Sequence, residues 1–205
     1  MTQSPHSPLH DDELHADPFT LFGQWFEDAK QAEINDPDAM ALASVDKQGQ
    51  PSVRMVLLKE WSEAGFVFYT NYDGRKADEL LSVKKAAFSM HWKSLRRQVR
   101  VAGSVAQVPA EQSDAYFASR HRGSQIGAWA SRQSRPLDKR QTLADRVKEI
   151  EAQFPDEVPR PPHWGGFIIM PSEIEFWADG AYRLHDRFRF SKNESGTWKA
   201  QRLYP

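Results

Sequence analysis

Two short basic segments lie far apart in this 205-residue chain: Arg54-Met55-Val56-Leu57-Leu58-Lys59 and Arg183-Leu184-His185-Asp186-Arg187. Each sets cations in a stretch that otherwise reads as an apolar strand. A buried charge is costly unless a partner neutralises it. Two such strands in one small domain therefore point to an anionic ligand between them, a phosphorylated cofactor or substrate. Period two places Arg54, Val56 and Leu58 on one face and Met55, Leu57 and Lys59 on the other. The alternative is an edge strand that leaves its charges in water, since edge strands often carry Lys. A strand over 182–190 would put Arg183, His185 and Arg187 on one face, where they repel one another unless an anion lies between them. Tyr182, Phe188 and Phe190 around them predict partial burial.

Further polar groups recur at useful spacing. Tyr69-Thr70 precedes Gly74-Arg75-Lys76, which opens a short helix. Free backbone N–H groups and a partial positive charge at a helix start can cradle a phosphate; an ordinary solvated helix start is the plainer reading. Tyr116 and Arg120 sit four apart on a helical stretch and share a face, with Ser124 just beyond, a set that would hold a phosphate well. Gln98 begins a strand, and an inward amide suits the edge of a planar heterocycle. Gln133-Ser134 lies in a polar loop and is ambiguous by itself. The run Lys93-Ser94-Leu95-Arg96-Arg97-Gln98-Val99-Arg100 reads as a solvated hairpin tip rather than a nucleic-acid site, being short in a chain that is not basic. The other histidines, at 6, 10, 15, 91, 121 and 163, form no metal-ligand cluster, so no metal is expected. No Asp or Glu stands in an unusual sequence context.

The elements that must position these groups can be read along the chain. Asp17-Pro18 opens a helix as N-cap and first helical residue, with Phe22, Trp25, Phe26 and Ala29 on its buried face. Strands follow at 39–45, 53–59, 65–70, 86–92 and 98–108, with a short helix at 75–82 between them. Helices are expected at 110–120 and 136–154, then strands at 164–170, 174–177, 182–190 and 197–203. Short antiparallel strands interrupted by helices argue for an α+β, mainly β domain built on a barrel. No dinucleotide-binding, Walker A or nucleophile-elbow motif is present.

Bulk properties agree with one domain. Residues 17–205 are long enough for one sizeable core, and the polar segment 1–16 is expected to be mobile. The formal net charge of -1 argues against a global grip on nucleic acid. The absence of cysteine excludes disulfides and thiolate chemistry. Residues 1–16 hold no apolar signal-peptide core, and no stretch is apolar enough for a membrane span. A soluble cytoplasmic protein is expected, with neither membrane nor nucleic-acid partner.

The ordered motifs RMVLLK at 54–59, FYTN at 68–71, RQV at 97–99, SQIGAW at 124–129, SRQS at 131–134, WGGF at 164–167, IEFW at 174–177, RLHDRF at 183–188 and the terminal RLYP resemble the pyridoxine (pyridoxamine) 5′-phosphate oxidase family. The likeness runs from about Asp17 to Pro205. It implies an FMN-binding split β-barrel, antiparallel and Greek-key-like with flanking helices, working as a homodimer with FMN at the subunit interface. By that resemblance, residues 54 to 59 run along FMN, and Tyr69, Thr70, Arg75, Lys76, Gln98, Gln133, Ser134, Trp177 and Arg187 also bind it. Lys59, Tyr116, Arg120, Ser124, Arg183, Leu184 and His185 contact the substrate, with Arg183 and His185 catalytic. The implied reaction oxidises pyridoxamine or pyridoxine 5′-phosphate to pyridoxal 5′-phosphate, with O2 as acceptor and H2O2 as product. The family's N-terminal Arg and Tyr, which close over the substrate, have no counterpart in residues 1–16. Two rival readings stay open: a split-barrel flavin reductase or related FMN oxidoreductase with another substrate, and a non-enzymatic ligand- or nucleic-acid-binding domain.

Overall fold

The structure, a computed structural model, describes residues 9–205. Of the N-terminal segment expected to be mobile, residues 1–8 lie outside the described residues. Leu9 packs into the core, and Asp11–His15 form a single 3-10 turn. Arg202 ties this turn down by donating to the Leu9 carbonyl at 3.0 Å and to the Asp11 carboxylate at 2.6 Å.

Helix α1 spans Pro18–Ala32, capped as its sequence requires: the Asp17 carboxylate accepts from the Thr20 N–H at 2.8 Å. Its buried stripe of Phe19, Phe22, Trp25, Phe26 and Ala29 drops into the main core. Phe22 meets Phe66 edge-on at 5.0 Å, and Trp25 meets Phe176 at 5.2 Å. Each such side chain contributes roughly 1.5–3 kcal/mol by leaving water.

Among the described residues, nine strands wrap that core, all paired antiparallel. They are β1 Ala39–Val45, β2 Pro51–Leu57, β3 Glu60–Ser62, β4 Gly65–Asn71, β5 Lys85–Trp92, β6 Arg97–Gln107, β7 Trp164–Ala178, β8 Asp186–Lys192 and β9 Trp198–Leu203. The order across the sheet is β2-β1-β5-β6-β7-β4-β3, with β8 and β9 branching from β7. The branch makes the barrel split. One edge of β7 pairs with β6, while the other pairs first with β4 (164–169) and then with β8 (173–178). This is the mainly antiparallel, open-barrel architecture expected from the sequence. Helix α2 (Arg75–Val83) follows β4. Helices α3 (Ala110–Ser119), α4 (Arg122–Ala130) and α5 (Arg140–Gln153) fill the long β6–β7 connection over a second, smaller core around Phe117, Ile126, Val158 and Trp164.

Three differences from expectation bear on the candidate site residues or the strands that carry them. The strands expected at 164–170 and 174–177 are one strand, because β6 supports β7 across Pro171 with a bulge at Ala102/Gly103. Helix α4 carries Gly123 and Gly127, which weaken its sequence signal. The strand expected over 182–190 starts only at Asp186. Residues Ala181–Arg183 form a 3-10 turn with Tyr182 and Arg183 in the left-handed region, at φ of 57° and 64°. Arg183, His185 and Arg187 therefore do not share one strand face; Phe188 and Phe190 are buried as expected, but Tyr182 is exposed. No helix of the described residues is long and apolar enough to cross a membrane.

Candidate active site

One cleft of about 870 Å³ lies against β2, β4, α2, α3, α4 and the loop that leaves α4. Its basic end is built by the β4–α2 turn. Gly74 caps α2, and a Cβ there would stand 3.0 Å from Gln133 Oε1 and 3.5 Å from Ser134 Oγ, so the loop after α4 closes directly onto the helix start. Lys76 is only 9% exposed. Its Nζ donates to Thr70 Oγ1 at 2.8 Å and to Gln133 Oε1. Both partners are neutral, and no carboxylate among the described residues pairs with it. Burial first, and the nearby Arg54 charge second, push its pKa down to about 8.

Beneath the cradle sits Glu79, 3% exposed. Its carboxylate accepts from the hydroxyls of Ser44 and Ser52, from Arg75 Nε at 2.8 Å, and from Arg54 at 3.3 Å. Burial pushes its pKa up, but the two hydroxyls, Arg75 and the Arg54 charge outweigh that and hold it at about 2. Arg54 also donates to Ser44 Oγ at 2.6 Å and to the Leu42 carbonyl at 3.2 Å, so its guanidinium is fixed before any ligand arrives. Nothing unusual in its sequence context marks Glu79; the fold brings its partners to it. Only the i, i+4 spacing from Arg75 hinted at it.

The opposite wall is aromatic. Tyr69, Tyr116 and Trp164 stack nearly parallel, with centroids 3.9 Å apart for Tyr69–Tyr116 and 5.5 Å for Tyr69–Trp164. Gly166 permits this stack, since a Cβ there would lie 2.8 Å from the Tyr69 ring. Arg120 spreads over Trp164 with its Cζ 4.7 Å from the ring. Its Nη1 is buried with no hydrogen-bond partner, and burial lowers its pKa. Ser124, in the first turn of α4, lines the same cleft. The Tyr69 hydroxyl donates to Glu60 at 2.6 Å, and burial followed by this carboxylate raises its pKa. Lys59 also lines the cleft, 2.7 Å from Asp38.

The structure thus gathers Arg54, Met55, Val56, Leu57, Lys59, Tyr69, Thr70, Arg75, Lys76, Tyr116, Arg120, Ser124, Gln133 and Ser134 around one space. Leu58 points instead into the core, 3% exposed. Trp164 and Asn71 line the cleft as well, and the sequence reading assigned neither of them a role.

The remaining expected residues form a second patch outside this cleft. Gln98, Trp177 and Arg187 stand in one row across β6, β7 and β8, each opposite the next in register. Arg187 is held by buried Glu175 at 2.9 Å and by the Tyr204 carbonyl at 3.0 Å. The His185 ring packs on Trp177 with centroids 4.6 Å apart. Arg183 and Leu184 lie exposed on the turn between β7 and β8. The two basic segments therefore do not enclose one ligand within a single chain, as the sequence alone had implied. One belongs to the cleft and the other to the patch.

Residues 26–154 match the family described as pyridoxamine 5′-phosphate oxidase, and residues 164–205 match the pyridoxine 5′-phosphate oxidase C-terminal dimerisation region. The chain is 56% identical over 192 residues to the pyridoxine/pyridoxamine 5′-phosphate oxidase of Brucella canis, covering 93% of this chain and 95% of that protein. The corresponding protein of Brucella abortus strain 2308 shows the same identity, with 92% of it covered. Among solved structures, PhzG from Burkholderia lata 383, in complex with tetrahydrophenazine-1-carboxylic acid, superposes with a TM-score of 0.91 at 29% identity, over 98% of this chain and 99% of that one. An FMN-binding protein from Nostoc punctiforme shares the fold with a TM-score of 0.75 at 15% identity, over 94% of this chain and 100% of that one.

Proposed function

Because the chain belongs to the pyridoxamine 5′-phosphate oxidase family, we propose that this oxidoreductase converts pyridoxamine 5′-phosphate and pyridoxine 5′-phosphate to pyridoxal 5′-phosphate. The observation that carries the reading is a pair of uncompensated cations in one cleft: Lys76, buried with only neutral partners, and Arg120, whose Nη1 has none. Two such cations suit two phosphate esters, one on a cofactor and one on a substrate.

The residues present fit FMN. Lys76, Arg75 and the first N–H groups of α2 would hold its phosphate, with Gln133 and Ser134 closing over it. Arg54 to Leu57 and Lys59 would lie along the remainder, on a strand that Glu79 keeps in place. Bound FMN supplies the two-electron oxidation, with O2 as acceptor and H2O2 as product. Tyr116, Arg120 and Ser124 would grip the substrate phosphate, so that binding energy gathered away from the reacting carbon fixes its position. Arg120 is dehydrated in advance, which makes its bond to phosphate strong and its orientation ready-made.

Gln98, Trp177, Arg183, His185 and Arg187 complete the site from a second copy of the chain. A twofold dimer formed through the C-terminal region would bring the patch of one subunit to the cleft of the other, twice. Arg183 and His185 would then stand at the reacting carbon, and exposed Leu184 would contact substrate.

The test is spectroscopic. Purified protein should be yellow, and anaerobic addition of pyridoxamine 5′-phosphate should bleach the flavin band and yield pyridoxal 5′-phosphate. A colourless protein that takes up no FMN, or a flavin left oxidised by both phosphorylated vitamers, would overturn the reading.

A further inference from the structure

We propose that Glu175 is a positioning residue for Arg187: it fixes the guanidinium in one orientation before FMN arrives and offsets its charge. This rests on the reading above that brings Arg187 to the cofactor in the cleft of a second copy. Arg187 donates through Nε to Glu175 Oε1 at 3.0 Å and through Nη1 to the Tyr204 carbonyl at 3.0 Å. Its Nη2 stands 2.9 Å from the same Glu175 oxygen. A guanidinium is planar and carries its N–H groups in a fixed fork. Two hydrogen bonds from different nitrogens of one rigid plane set where that plane lies and which way it faces. One carboxylate oxygen and one carbonyl cannot use every N–H, so each Nη keeps a hydrogen for a ligand.

Glu175 is placed to hold a neighbour still. It is only 4% exposed. It lies on β7 where that strand is paired on both sides, opposite Arg100 of β6 and Arg189 of β8, so two ladders fix its backbone. Its other oxygen, Oε2, accepts from Arg100 Nη1 at 3.5 Å. Arg100 closes the basic run 93–100, and this contact gives that end of the run a use inside the fold. A buried carboxylate is costly unless cations meet it. Arg100 and Arg187 do so from two strands, each at its own oxygen. A pair of this kind often contributes no more stability than well-packed apolar side chains would. Orientation of Arg187 is what an apolar residue at 175 could not supply.

The consequence lies in affinity and in charge. A mobile arginine loses rotamer freedom when a ligand immobilises it, and that loss weakens binding. Arg187 has lost the freedom on folding instead. With Glu175 beside it, the cofactor meets a directed donor whose positive charge is already balanced.

A double-mutant cycle tests this, read by fluorescence titration of apoprotein with FMN and by the midpoint potential of the bound flavin. Glu175→Ala should raise the FMN Kd by roughly three- to tenfold, the scale of one side chain left to be ordered on binding. Arg187→Ala should raise it at least as much. Adding Glu175→Ala to Arg187→Ala should change Kd by less than about twofold, because Glu175 reaches the cofactor only through Arg187. Glu175→Gln keeps an accepting oxygen but not the charge. It should shift the midpoint potential to a more positive value, and that shift should vanish in the Arg187→Ala background. The proposal is overturned if Glu175→Ala weakens FMN binding equally with and without Arg187, the mark of a general structural role. It is also overturned if both Glu175 variants keep the wild-type Kd and potential. An Arg187→Ala protein that binds FMN like wild type, and is still bleached by pyridoxamine 5′-phosphate, overturns it while the assigned reaction stands. A wild type that takes up no FMN overturns the assigned reaction itself, and the proposal with it.

Discussion

Tyr69 on β4 and Tyr116 on α3 lie face to face, 3.9 Å between ring centroids and 11° from parallel. The contact joins β4, which leads into the β4–α2 turn, to α3, which ends at Arg120. On the proposed function Tyr116 has two separable duties, a ring that packs and a hydroxyl that would bind the substrate phosphate. Tyr116→Phe should keep the stack and raise KM for the phosphorylated substrate by roughly tenfold or more, the value of one hydrogen bond to a charged group, with kcat and FMN affinity nearly unchanged. Tyr116→Ala should in addition cost about 1 kcal/mol of stability from the lost aromatic pair, visible as a lower Tm. Steady-state kinetics and thermal unfolding of the two variants separate these effects.

If Lys76 holds the FMN phosphate as proposed, FMN binding should be sensitive to alkaline pH. The lysine's folded pKa of about 8 lies below the ordinary 10.5. Between those values the unfolded chain holds a proton that the folded, ligand-free protein has released, so apo stability should rise as pH climbs from about 8 to 10.5. An anionic phosphate favours the charged lysine, so binding above pH 8 must take up a proton. FMN affinity should then fall by up to about tenfold per pH unit above 8. Fluorescence titration of FMN from pH 7 to 10 measures this, and Lys76→Met should bind weakly at every pH with the slope flattened.

Glu79 predicts an effect of opposite sign in acid. Its folded pKa of about 2 lies below the ordinary 4.5, so its contribution to stability is complete above pH 4.5 and is lost as pH falls towards 2. Glu79→Gln should unfold about 2–3 kcal/mol more easily at neutral pH, because two arginines lose their anionic partner, and its stability should decline less steeply between pH 4.5 and 2. It should also bind FMN more weakly, since Arg54 and Arg75 would no longer be held. Denaturant midpoints across that pH range, with one FMN titration at pH 7, check all three.

Much of this was readable from residue types and spacing. The cap at Asp17, the stripe on α1 and most strand runs follow from local pattern and survive in the structure almost to the residue. The cations of β2 were legible because charges in an apolar run are costly and so conspicuous, and Arg75 and Lys76 because they stand at a helix start; Tyr69 and Thr70 of β4 stood out only beside that start. Glu79 was not legible, because a carboxylate four residues after Arg75 looks like any solvated helix pair until β1 and β2 bring Ser44, Ser52 and Arg54 onto it. The strand reading of 182–190 fails over 182–184 because the alternation of Arg183, His185 and Arg187 imitates period two, whereas left-handed Tyr182 and Arg183 break it. Nor could spacing tell that Arg54 and Arg187 belong to different regions of one chain. Strand pairing decides that, and pairing is a long-range property.

The division of the site between cleft and patch is the central claim, and subunit complementation tests it most directly. Arg120→Ala damages only the cleft and Arg183→Ala only the patch, so each homodimer should be nearly inactive with FMN bound. Unfolding and refolding the two together in equal amounts should restore about a quarter of wild-type activity, because half the dimers are mixed and each mixed dimer has one intact site of its two. Activity that stays at the level of the separate variants, with mixed dimers shown to have formed, would place both halves of the site in one chain and contradict the account.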